Sequence, residues 1–142
     1  MKIAIAQLNF LIGDFEGNVK KMITAVESAK EDKADIICFS ELATCGYPAR
    51  DFLDFDDFIS LCENAIKTLT TLTTDIAIVV GSPTRNPVPE GKDLYNSAYF
   101  LADQKSFISN IKVCSLVSAV YKTRPFTSVI FKLTGSLITF SN

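Results

Sequence analysis

Apolar residues along this chain recur with two different periods, and the switches between them mark out its elements. Lys2 to Gln7 is a short apolar run of the kind a strand covered on both faces presents, and Gly13-Asp14 marks a turn after it. From Asn18, read as a helix N-cap, Val19, Met22, Ile23, Val26 and Ala29 return at helical spacing, with Lys20, Lys21, Glu27 and Lys30 on the other side. Asp35 to Phe39 reads as a second buried strand, and Ser40 to Arg50 as a loop punctuated by Gly46 and Pro48. Phe55, Phe58, Ile59, Cys62, Ala65, Ile66 and Leu69 trace the apolar face of a second helix. Ile76 to Val80 predicts a third strand ended by Gly81-Ser82-Pro83, followed by a loop carrying Pro83, Pro87 and Pro89. Leu94 to Leu101 and Ser106 to Lys112 predict two more strands joined across a turn at Asp103-Gln104. The order β-α-β-α-β-β-β indicates an α/β fold, helices packed on a sheet that begins parallel and ends in a hairpin. Further on, Val129 to Phe131 and Leu137 to Phe140 read as short strands, with no helix cap or amphipathic period beside them.

Composition sharpens this picture at one place. The 142 residues are 48% hydrophobic and 21% charged, which is the profile of one globular domain, and no apolar run is long enough to span a membrane. The net charge of −2 hides an asymmetry: residues 1–103 carry 9 basic and all 16 acidic side chains, whereas residues 104–142 carry 5 basic and no acidic ones. The five basic residues are scattered among Ser, Thr and apolar residues rather than clustered with aromatics, so neither part predicts a nucleic-acid surface. The start of the chain is too short and too soon polar for a secretory signal, and a cytoplasmic protein is expected.

The residue types present narrow the chemistry. There is no histidine, which excludes Ser-His-Asp and Cys-His catalysis and every imidazole-based metal site. Cys38, Cys45, Cys62 and Cys114 have no Cys-x-x-Cys spacing, so they predict reduced, mostly buried thiols and no metal site. A base for covalent chemistry must then be a carboxylate or a lysine. Glu41 falls at the carboxyl end of the second predicted strand, where α/β sheets place their ligand crevices, between the apolar neighbours Phe39 and Leu42. Position alone fits a solvated loop glutamate or an N-cap acceptor better than a catalytic base.

The surrounding string changes that balance. Phe39-Ser40-Glu41-Leu42-Ala43-Thr44-Cys45-Gly46-Tyr47-Pro48 is preceded by Ala4-Ile5-Ala6-Gln7-Leu8-Asn9 and followed by Gly81-Ser82-Pro83-Thr84-Arg85 and Leu94-Tyr95-Asn96-Ser97-Ala98. Together these resemble the carbon-nitrogen hydrolase (nitrilase) superfamily. The stretches running from Glu41 to Leu53 and from Asp93 to Asp103 are similar to the glutaminase domain of glutamine-dependent NAD synthetases. The resemblance covers residues 1–105 as the N-terminal half of such a domain and fails over 106–142, a divergent tail. It implies a partial nitrilase-like α-β-β-α sandwich, the first half of the domain.

The resemblance also implies an amidase using a Glu-Lys-Cys triad that hydrolyses the amide of glutamine and releases ammonia for NAD biosynthesis. In it a carboxylate takes the thiol proton, an ammonium stabilises the oxyanion, and a thioester is then hydrolysed. Glu41 matches the general base and Tyr47 a glutamine-contacting position. Lys112 falls at the place of the oxyanion-stabilising lysine, with a solvated strand-end lysine as the competing reading and Lys105 as a weaker candidate. Where the family pattern continues Leu-Leu-Pro, this chain has Cys114-Ser115-Leu116, and Ser118 stands where a substrate-contacting tyrosine is expected. No cysteine lies in the nucleophile's context, so the chain is expected to be an inactive fragment whose tail reflects a truncation or a reading-frame change. The family implies a homo-oligomer and no cofactor for glutamine hydrolysis. ATP and Mg belong to a synthetase domain, whose Ser-Gly-Gly-x-Asp-Ser loop does not occur here. Two other readings stay open: a different carbon-nitrogen hydrolase (amidase or carbamoylase), and a non-catalytic α/β module.

Overall fold

A computed structural model describes residues 1–88, 90–91, 93–109 and 137–141. Six strands form one mixed sheet: β1 (Ile3–Gln7), β2 (Ile36–Cys38), β3 (Ala77–Arg85), β4 (Leu94–Ala102), β5 (Lys105–Ser109) and β6 (Leu137–Ser141). Across the sheet the order is β5-β4-β3-β2-β1-β6. The strands β6, β1, β2 and β3 run parallel, and β4 and β5 add an antiparallel hairpin to the β3 edge. Two helices connect the parallel strands, α1 (Phe15–Glu31) and α2 (Asp56–Thr70), with a short 3-10 turn at Arg50–Asp54 before the second. Because β1, β2 and β3 succeed one another in one direction, two right-handed crossovers put both helices on the same face.

That face holds the main core. Ala4, Ala6, Ile37, Ile78, Val80, Tyr99 and Leu101 of the sheet meet Met22, Val26 and Ala29 of α1 and Ile66 and Leu69 of α2. The alternation of strand side chains sends Ile3, Ile5, Ile36, Cys38, Val79 and Phe100 to the opposite face, which no helix covers among the described residues, and these are only partly buried or exposed. The described residues therefore form one helix layer on one sheet. The apolar face predicted for the second helix is the buried one, from Phe58 to Leu69, except that Phe55 stays exposed.

Three local expectations are corrected. The first helix starts at Phe15 and its N-cap is Asp14, whose carboxylate accepts from Gly17 N at 3.0 Å. Asn18 is a fully buried residue of the first helical turn, and its amide is spent on the preceding loop. Strand β3 does not end at Gly81 but continues through Pro83 to Arg85. Pro83 is tolerated because β2 has already ended. Gly81 N points to the β2 side, where it donates to Ser40 O, so the N–H that Pro83 lacks, two residues on, faces a side with no ladder. Residues 50–54, partly read as loop, form the 3-10 turn. The expected strand at Val129 to Phe131 lies outside the described residues.

The end of the sheet that matters is the carboxyl end of β2 and β3. Arg85, the last residue of β3, reaches across to the start of α2, donating to Glu63 Oε1 at 2.6 Å, to the Asp56 carbonyl at 3.0 Å and to Asp56 Oδ1 at 3.2 Å. Helix α2 has no side-chain N-cap; Asp56 and Asp57 put carboxylates in its first turn, and Arg85 ties that turn to the end of β3 through Asp56 and Glu63.

Candidate active site

Glu41 occupies the turn at the carboxyl end of β2. Pairing with β3 continues briefly beyond the strand, with Phe39 N donating to Val79 O at 2.8 Å and Gly81 N to Ser40 O at 3.3 Å. The chain then breaks away at Leu42, a buried residue with φ of 50°, in the left-handed region that side chains other than glycine seldom adopt. This sharp turn puts Glu41 at the rim, half-buried, and sends Leu42 inward to pack with Cys45, Ala49, Phe58, Ile59 and Cys62.

The loop is clamped from several sides, each by a residue whose type the geometry requires. A side chain at Gly81 would place its Cβ 2.7 Å from Leu42 N and 2.8 Å from Glu41 Cα, so only glycine lets the Glu41 turn lie against β3. Gly46, with φ of 80°, approaches the Leu11 and Ile12 backbone so closely that a Cβ would sit 2.6 Å from it. Gly13 N donates to Cys45 O at 3.0 Å. Asn18 accepts from Leu11 N at 2.9 Å and donates to Leu11 O at 2.8 Å and Thr44 O at 3.4 Å, bracing one loop against the other. Thr44 and Ser82 share a buried hydroxyl-hydroxyl hydrogen bond of 2.8 Å.

The Glu41 carboxylate itself is held from β4. Asn96 Nδ2 donates to Glu41 Oε1 at 2.5 Å. Asn96 pairs in register with Pro83, so it points to the sheet face opposite Ser82 and the helices. The carboxylate thus opens toward the uncovered face. In the sequence Asn96 is marked only by the Tyr95-Asn96-Ser97-Ala98 string.

Tyr47 is exposed in the same loop, before a cis peptide to Pro48. Next to it, Ile12, Pro48, Arg50, Asp51, Phe52 and Phe55 line an open groove of about 480 Å³ that does not include Glu41. A second groove of about 590 Å³, lined by Lys67, Gln104, Lys105 and Phe107 among others, lies at the opposite end of the sheet. Lys105 belongs to that end. It pairs with Ala102, six residues along β4 from Asn96, which is about 20 Å at strand rise, so it cannot serve Glu41. From there β5 runs back toward the Glu41 end, reaching Ala98 at Ser109. Lys112, Cys114 and Ser118 lie outside the described residues.

The described thiols are core residues. Cys45 and Cys62 are fully buried in the cluster beneath Leu42. They interact as a pair, the Cys62 thiol being pushed above its usual range by donating toward Cys45 and by burial, while the same bond holds Cys45 lower. Cys38, on the uncovered face, is raised by burial. A nucleophile needs exposure together with a lowered pKa, and none of the three combines them. Among the described residues no cluster of three or more His, Cys, Asp or Glu side chains could hold a metal ion, and no helix is long and apolar enough to cross a membrane.

Among the described residues, a six-stranded mixed sheet with both helices on one face, and a glutamate turn beyond the carboxyl end of its second strand, define an α/β layer of the nitrilase-like kind. The carbon-nitrogen hydrolase family model matches residues 2–136, and the chain belongs to that family. A glutamine-dependent NAD(+) synthetase of Xylella fastidiosa is 36% identical over 104 residues, covering 72% of this chain and 18% of the relative. Another from Synechocystis sp. is 38% identical over 103 residues, covering 70% of this chain and 18% of the relative. The chain thus spans less than a fifth of the curated relatives' length. The solved glutamine-dependent NAD+ synthetase of Acinetobacter baumannii superposes with a TM-score of 0.68 at 33% identity, over 76% of this chain and 20% of that one. An amidase from Nesterenkonia sp. shares the fold, with a TM-score of 0.63 at 22% identity over 74% of this chain and 40% of that one.

Proposed function

We propose that this chain carries the general-base side of a glutamine amidohydrolase site, the part of a glutamine-dependent NAD(+) synthetase that releases ammonia. The observation that carries the reading is the Glu41 carboxylate, presented at the carboxyl end of the parallel strands on an immobilised turn and open to the uncovered sheet face. In that role Glu41 accepts the proton of a thiol as the sulfur attacks the amide carbon, returns it to the departing ammonia, and then takes a proton from the water that cleaves the thioester. Tyr47 contacts the glutamine, and Lys112 stabilises the oxyanion. The direction of β5, which returns from the Lys105 end toward that of Asn96, supports Lys112 over Lys105.

Cys38, Cys45 and Cys62 are not the nucleophile in this reading, since two are sealed in the core and the third has its thiol form favoured by burial. The chain by itself then binds glutamine without forming an acyl-enzyme. The same reading sets it in the cytoplasm, as part of a homo-oligomeric enzyme whose ATP- and magnesium-dependent synthetase lies outside this sequence.

The test titrates the isotopically labelled chain with glutamine, asparagine and a carbamoyl compound while ammonia release is followed. Glutamine should shift the amide resonances of Tyr47 and of the turn after Glu41, and, in a full-length counterpart that hydrolyses glutamine, Glu41→Gln should lower ammonia release by at least about 100-fold. A response to the carbamoyl compound alone would move the chain to another carbon-nitrogen hydrolase activity. Silence toward all three would make it a non-catalytic module, and undiminished release from Glu41→Gln would remove the base assignment.

A further inference from the structure

We infer that Asn96 is a positioning residue for Glu41: its amide pins one carboxylate oxygen, Oε1, and so reserves Oε2 as the oxygen that exchanges protons. The inference rests on the reading of Glu41 as the base and adds to it a division of labour between the two oxygens.

The geometry points to it in three ways. Asn96 and Glu41 are 55 residues apart and stand on different strands' ends, yet Nδ2 meets Oε1 at 2.5 Å, the one hydrogen bond to this carboxylate among the described residues. Asn96 is exposed, and packing does not explain an amide at this place; the next residues along β4 on the same face are the apolar Ala98 and Phe100. A half-buried carboxylate at the rim, on a three-torsion side chain, would otherwise sample several rotamers, and a base must lie within hydrogen-bond reach of the proton it takes.

The identity of the donor matters as much as its place. An amide N–H is a hydrogen-bond donor without charge, so it orients the carboxylate and leaves its charge uncancelled, whereas a lysine or arginine there would pair with it as an ion and stabilise the unprotonated form more strongly. The proton then balances simply. It leaves the attacking S–H or O–H for Oε2, the carboxylate becomes a carboxylic acid still bonded through Oε1 to Nδ2–H, and the same proton departs from Oε2 in the next step. Pro83, in register with Asn96 and lacking an N–H, offers the carboxylate no competing backbone donor at that level.

The experiment uses the 142-residue chain, labelled with 15N and 13C. The Asn96 side-chain amide, identified by its loss in Asn96→Leu, should resonate apart from the other asparagine amides and should move during an acid titration. In Glu41→Gln that movement should vanish. In Asn96→Leu, similar in volume, the melting temperature should stay within a few degrees while side-chain relaxation shows Glu41 released. An Asn96 amide that behaves like the solvent-exposed ones, or a Glu41 side chain equally ordered in Asn96→Leu, overturns the inference, and neither result depends on turnover. Where ammonia release is measurable, Asn96→Leu should lower kcat by about 10-fold with KM within about twofold, since only orientation is lost. A change confined to KM would make Asn96 a substrate contact instead. Failure to bind glutamine would count against the proposed function and leave the Asn96 result standing.

Discussion

Thr44 and Ser82 meet hydroxyl to hydroxyl at 2.8 Å in a site from which solvent is excluded, and through this bond the Glu41 turn is fastened to the middle of β3. Thr44 belongs to the loop and Ser82 to the strand, so the contact decides how far the turn can ride away from the sheet. Ser97, opposite Ser82 in register on β4, is also buried, and its hydroxyl is without a partner among the described residues.

The first prediction concerns this pair. Thr44→Val keeps the shape and leaves the buried Ser82 hydroxyl only its long bond to the Pro83 carbonyl at 3.5 Å, and should cost about 1–3 kcal/mol in denaturant melts. Thr44→Val combined with Ser82→Ala should cost less than the two singles added together, because the second change removes the poorly paired hydroxyl. Strict additivity would mean the bond does not couple loop and strand.

Gly81→Ala probes the close approach of the same turn. Its Cβ would meet three backbone atoms, Leu42 N, Glu41 Cα and Ser40 O, within 2.9 Å, and backbone cannot swing aside as a side chain can. A loss of about 1–3 kcal/mol is expected from overpacking, with amide shifts concentrated in the turn from Ser40 to Leu42. An unperturbed spectrum there would show that the turn does not lean on β3.

Stability should fall in alkali. Cys38 and Cys62 are raised from 9.0 and Tyr99 from 10.0, in each case with burial among the causes, and the Tyr99 hydroxyl is engaged with Thr84 Oγ1 at 2.7 Å. Groups whose folded values lie above the unfolded ones contribute stability that is complete below the unfolded values and is lost as the pH climbs from about 9 through the folded values. Cys45, held lower by its bond to Cys62, opposes this in part. The melting temperature should therefore drop between pH 8 and pH 10.5 by more than it does in Tyr99→Phe, on the scale of about one pKa unit per 1.4 kcal/mol. Equal alkaline slopes in the two proteins would contradict the Tyr99 contribution.

The thiols offer a check on the core. In the native protein, Cys45 and Cys62 should react with a disulfide reagent only at the rate of unfolding, and Cys38, half-buried on the uncovered face, should be modified before them. Peptide mapping after brief labelling distinguishes the sites. Early modification of Cys62 would show that the cluster beneath Leu42 opens locally.

Much of this could be read from the one-dimensional pattern, for a physical reason. The parallel strands and both helices announce themselves because each must bury one stripe or both faces, and the residues from Phe58 to Leu69 or from Met22 to Ala29 can do so in only one periodicity. Glu41 was legible as well, since a carboxylate at a strand's carboxyl end within the Phe39 to Pro48 string resembles one family's turn, and that family is the one the chain belongs to. Tertiary structure decided what local pattern does not encode. The strand β3 runs through Pro83 because β2 stops short, and helix α1 is capped by Asp14 while Asn18, inside its first turn, ties Leu11 to Thr44. The partner of Glu41 is likewise set by register: Asn96 is polar, exposed and unremarkable in sequence, and it meets the carboxylate because an antiparallel pairing slides it opposite Pro83, beside a turn 55 residues away. Burial and periodicity are properties of each segment and so are written in it, whereas the meeting of two polar side chains depends on how strands pair, which no single segment contains.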